Sequence, residues 1–118
     1  MEANFNSSLE ILQSAQQRAL YDKLLQQTAK DFVLANVDVK IPEDLEPKQL
    51  RDIVREKIYF LLLEKFSEYL NLLYVVDIPE SEIKKLNTLD AADASVEVCF
   101  LILKREWQKV WFKHKYNS

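Results

Sequence analysis

The sequence predicts an all-α fold: three long helices packed as a bundle, one short helix between the second and third, and an extended first connector. Three observations support that expectation. Apolar residues recur at three- and four-residue steps through three stretches of about 27 residues each. Strict alternation is confined to a few residues before a proline. The 118 residues include three prolines and no glycine, so the chain has no tight glycine turns to use. A single helical domain spanning residues 1–118 suits this length. A content of 48% hydrophobic and 30% charged residues is enough to build a core.

Residues 1–7 form a tail, and helix one covers about 8–35. Ser7 stands three residues before Glu10, the reciprocal capping spacing. Leu9, Leu12, Ala15, Ala19, Leu20, Leu24 and Phe32 then follow at helical steps. Val37, Val39 and Ile41 alternate with Asp38 and Lys40, and Pro42 disfavours a helical Ile41, so the first connector is extended. Pro47 suits the first turn of helix two, about 47–76, whose stripe includes Leu50, Val54, Ile58, Leu61, Tyr69 and Leu72. The run IYFLLL at 58–63 is apolar all round, which implies cover on more than one side. A short helix is expected at about 79–86.

Helix three covers about 89–115. It has acids Asp90, Asp93 and Glu97 at its start and bases Lys109, Lys113 and Lys115 at its end, the order the helix dipole favours. The connectors share V-x-I-P-E at Val39 and Val76, but two copies do not make a repeat array, and Pro-Glu is a favourable helix opening by itself.

Without glycine, phosphate loops, dinucleotide fingerprints and a nucleophile elbow cannot be written. Cys99 and His114 are the sole cysteine and histidine. Fifteen positions apart on one helix, they are separated by about 22 Å and cannot share a metal or form a thiol–imidazole pair. Cys99 lies in an apolar run, where a thiol behaves as a small core hydrophobe. His114, among lysines near a helix end, is read as a solvated residue. Glu64 with Glu68, and Asp90 with Asp93 and Glu97, have spacing that permits an acid–base or metal site, but solvated faces explain them as well. No cofactor, metal or small-molecule ligand is implied. One cysteine, no apolar leader after the acidic start, and Glu64, Lys65 and Glu68 interrupting the most apolar stretch point to a cytoplasmic chain with no transmembrane segment. The Asn6-Ser7-Ser8 glycosylation pattern is then coincidental.

The most informative segment is 104–116. Lys104, Arg105, Lys109, Lys113 and Lys115 against Glu106 give a formal +4, which leaves −7 on the rest of a chain whose net charge is −3. Trp107 and Trp111 continue the core stripe, while Val98, Leu101, Ile102, Phe112 and Tyr116 form a second apolar side open to another subunit, a partner helix or another part of this chain. Arg105, Lys109, Phe112, Lys113 and Tyr116 are the candidate partner-binding residues. The functional expectation is a non-enzymatic helical interaction or scaffold protein, with self-association through helices two and three as one form. The alternatives are a nucleic-acid-binding module using the basic aromatic end, and an enzyme with a carboxylate site. An isoelectric point near 5.2 disfavours electrostatic nucleic-acid binding.

Overall fold

The computed structural model describes residues 5–117, so Met1 to Asn4 of the expected tail and Ser118 lie outside the described residues. Within them the chain is all-helical, with no strand and six helices. These are α1 (Ser8–Gln17), α2 (Tyr21–Leu34), α3 (Pro47–Glu64), α4 (Phe66–Val76), α5 (Glu80–Lys84) and α6 (Ala91–Asn117). Two of the three expected long helices are therefore broken, the first at residues 18–20 and the second at Lys65.

Helix α6 touches α1, α2, α3 and α4 and is the rod on which they pack. Its 27 residues span about 40 Å. A straight helix over 47–76 would reach about 45 Å, beyond the 40 Å long axis of the molecule. The bend at Lys65 (φ −141°, ψ 61°) turns α4 so that Tyr69, Leu72, Leu73 and Val76 are buried. The short helix is present as α5, and between α2 and α3 the non-helical connector buries Val37 and partly buries Val39 and Ile41.

The ends of the helices show how a chain without glycine stops them. Ser7 Oγ accepts from the Glu10 amide at 3.3 Å, while the Glu10 carboxylate accepts from Asn6 N–H at 3.3 Å, so the reciprocal arm falls one residue earlier than the capping spacing implies. Gln49 accepts from Glu46 N–H ahead of Pro47, and Asp90 accepts from Asp93 N–H. Ala19, Asn36 and Asp77 are the positive-φ residues, at 58°, 60° and 74°. Each sits just past a helix in the same pair of closing bonds. For Ala19 these are Ala19 N–H to Gln16 O and Leu20 N–H to Ala15 O. Asn36 and Asp77 repeat the pair, followed by Val37 and Ile78, apolar residues that pack back on the core. Asn and Asp tolerate the left-handed region, whereas alanine pays for its Cβ there.

Two expectations about burial are corrected. Tyr59, Phe60 and Leu63 are exposed, so the IYFLLL run is covered on one side only: α3 packs on α1, α4 and α6. Val98 and Ile102 are fully buried, so they belong to the core face of α6 rather than to a second apolar side, and Val96 faces outward.

Replacing Ala19 by glycine should raise stability by about 1 kcal/mol, read as a higher denaturant midpoint at unchanged slope. In an unbroken helix the same change would lower it by a similar amount, so the sign tests the break. Leu103→Ala, at a fully buried position, should cost about 3 kcal/mol.

Candidate functional site

Buried side chains of α6 fall at 94, 95, 98, 99, 102, 103, 106, 107 and 110, which puts Glu106 on the core stripe. On α2 the buried set is Leu24, Leu25, Thr28, Asp31 and Phe32, so an acid occupies a core position there too. The two helices run antiparallel, Asp31 meeting Lys109 and Gln27 meeting Lys113 one turn further along. Lys109 Nζ lies 2.6 Å from Asp31 Oδ2, and Gln27 Nε2 donates to Asp31 Oδ1 at 3.2 Å. Thr28 Oγ1 satisfies itself on the Leu24 carbonyl.

Glu106 is fully buried, and neither carboxyl oxygen meets a donor in good hydrogen-bonding geometry; Lys109 Nζ stands 3.5 Å away. An ionised carboxylate there would be poorly solvated beside a second acid. Burial first, then the hydrogen bond and negative charge of Asp31, push the Glu106 carboxyl up to about 9, against the opposing pull of Lys109. Burial beside Asp31 thus favours the protonated form of Glu106 at neutral pH, in a pair of acids that share one ammonium. The arrangement holds α2 against α6. With Glu106 sealed from solvent, a substrate has no access to its proton.

Of the five expected partner-binding residues, Arg105 and Lys109 are partly buried in contacts within the chain, and Phe112, Lys113 and Tyr116 are exposed. Arg105 donates to the Asp77 carbonyl and pairs with its carboxylate at 3.1 Å, clasping the left-handed end of α4. Lys109 is held by Asp31 as described. Phe112 and Tyr116 are exposed and stack on each other, ring centres 6.0 Å apart and planes within 7°. Lys113 donates to Gln27 Oε1 at 2.8 Å. Trp107 is buried and Trp111 packs against it at 6.0 Å, with the Arg18 guanidinium 4.8 Å from the Trp111 ring.

Other candidates fall where solvent or packing accounts for them. Asp90 caps α6, and Glu64, Asp93 and Glu97 are exposed. Burial pushes the Cys99 thiol up to about 11, only partly offset by the Ser8 hydroxyl, so the thiolate a nucleophile needs is scarce. α6 is unbroken between Cys99 and His114, which keeps the two far apart.

A feature missed in the sequence is the outer face of α3 and α4. Tyr59, Phe60, Leu63, Phe66, Leu70 and Tyr74 are exposed, with Leu63 at 56% and Tyr74 at 83%. Positions 59 and 63 on α3, and 66, 70 and 74 on α4, each step by four, which puts them on one outer face of their own helix. Among the described residues no helix is long and apolar enough to cross a membrane. Compared with family models, with curated proteins and with solved structures, the chain matches none.

Because the Glu106 proton is held far above the ordinary carboxyl range, the folded state binds more protons than the unfolded chain between about pH 4.5 and 9. The contribution of this group is complete below that window and is lost as pH rises through it, by up to about 1.4 kcal/mol per pH unit. Glu106→Gln, whose amide can donate to Asp31, should flatten this decline in urea midpoints measured from pH 5 to 9. Lys109→Met strands the two acids and should cost about 3 kcal/mol or more.

Proposed function

We propose that the chain is a non-enzymatic helical interaction protein that self-associates through the outer face of α3 and α4. The single observation that carries this reading is the exposed apolar seam on that face. Taking roughly 200 Å² for a fully exposed large side chain, its six residues present on the order of 600 Å², the upper end of what a monomer leaves open. With a polar rim that approaches the ~800 Å² per partner of an ordinary interface. Four aromatic rings in the seam suit an interface, where rings bury much area at little entropic cost.

The charges around the seam favour desolvation of its centre. Lys57 Nζ lies 4.9 Å from the Phe60 ring and covers its edge of the patch while its head stays in water. Glu56, Glu64 and Lys65 are exposed beside the seam and supply a polar rim. The Phe112–Tyr116 stack at the end of α6 is a second, smaller apolar tip. The nucleic-acid reading is the less favoured one, because Arg105 and Lys109 are neutralised by Asp77 and Asp31.

Light scattering coupled to size exclusion at rising protein concentration should show a dimer or larger species. Leu63→Glu with Leu70→Glu should return it to monomer without lowering the thermal midpoint of that monomer, since both side chains are exposed in the folded chain. A wild-type protein that stays monomeric at about 100 μM, a hundredfold above a Kd of about 1 μM, would overturn the proposal.

A further inference from the structure

The geometry points to an oligophosphate-binding cleft between α2 and the last turns of α6, built from Lys23, Lys30, Lys113 and His114 with Gln27 and Asn117. The cleft is about 460 Å³ in volume, within the range of small-molecule sites. Among the described residues no carboxylate lines it. The local charge is thus +3 with His114 neutral, on a chain whose net charge is −3.

Helix stability accounts for only half of these cations. Lys113 and His114 complement the C-terminus of α6, as expected from the dipole. Lys23 stands in the first turn of α2, where the dipole favours an acid, and Lys30 sits further along the same face. Neither makes an ion pair with a described acid. Of the acids near these lysines, Asp31 is engaged by Lys109 and Gln27, while Asp22 and Glu43 line the neighbouring pocket that Lys30 also borders. Lys113 is steadied by the neutral Gln27 Oε1, an arrangement that positions its ammonium and leaves the charge uncompensated.

The layout also selects among anions. Lys23 and Lys30 are seven residues apart on one helix, about 10 Å along the axis, with Lys113 facing them from α6. That spread suits a chain of linked phosphates better than a single one. Lysines bind phosphate as compact point charges, whereas the planar fork of arginine suits carboxylate and phosphate alike. No tryptophan, tyrosine or phenylalanine lines the cleft, so the phosphate chain is the recognised group. The cleft shares no residue with the outer face of α3 and α4, so this inference stands or falls apart from the self-association.

Calorimetric titration of the full chain at low salt, with tripolyphosphate as the probe, tests it. The expected result is saturable binding, tighter than for orthophosphate and weakened about tenfold, or by 1.4 kcal/mol, in Lys23→Gln with Lys30→Gln. Lys84→Gln with Lys85→Gln on α5 makes the same change in net charge away from the cleft and should leave affinity within about twofold. Both pairs are exposed, and circular dichroism checks that each variant folds. Adenosine triphosphate binding as tightly as tripolyphosphate identifies a free phosphate chain as sufficient; tighter binding identifies a nucleotide tail as the source of the same phosphates. No saturable binding, equal losses in the two double variants, or a single-stranded RNA that binds and is not displaced by tripolyphosphate would each overturn the proposal.

Discussion

One unbroken rod governs this molecule. Among the described residues α6 alone is long enough to span it, and α1, α2, α3 and α4 bury their apolar faces on that rod. A neighbour that followed its own axis past the rod's end would leave leucines in water, at roughly 25 cal/mol for each Å² exposed. The bend at Lys65 is the consequence, whereas the break at residues 18–20, in a stretch no longer than α6, carries Leu20 into the core. Each folds a run of apolar residues back onto α6, and each costs one or two residues of helical hydrogen bonding where solvent can replace it.

The absence of glycine makes the chain-reversal costs visible. Three helices close through the same two-bond motif, and at each the left-handed residue carries a Cβ. Asn36 and Asp77 are the residue types that bear this best after glycine, and Asp77 is in addition clasped by Arg105. Ala19 has neither advantage. What holds it is the apolar residue that follows: Leu20 is buried, so forcing residues 18–20 back into α-helix would draw it out of the core.

Much of the fold was legible because periodicity reports burial directly. The non-helical connector, the proline-opened α3, the short α5 and the extent of α6 all follow from spacing and breakers. The breaks at 18–20 and Lys65 were not legible, since neither contains glycine or proline and the surrounding residues are good helix formers. They are tertiary in origin: the Lys65 bend keeps α4 on the rod, and the turn at 18–20 buries Leu20. The candidate site divides in the same way. Residue type placed Lys109 among exposed bases, whereas register places it beside Asp31. The signal for Glu106 was present, because 99, 103, 106 and 110 continue one stripe, but a glutamate there reads as surface unless position outranks type. Tyr59, Phe60 and Leu63 failed in the opposite direction: apolar type suggested cover, and no described element lies over them.

These reversals share a cause that bears on function. An amino acid's preference for water is an average, and a functional or structural demand shows where a position departs from it. Glu106 inside and Tyr74 outside are two such departures, and their consequences differ. The buried acid is compensated within the chain: it is held protonated, and Lys109 reaches both it and Asp31, so the departure is closed and serves to lock α2 on α6. The outer face of α3 and α4 has no such closure, because nothing within the described residues shields it from water. The cations of the α2–α6 cleft likewise share it with no described acid. A closed departure stabilises the monomer and asks nothing of its surroundings. An open one lowers free energy only when something else arrives, and the two open ones here call for different chemistries, apolar surface on one side and multiple negative charge on the other.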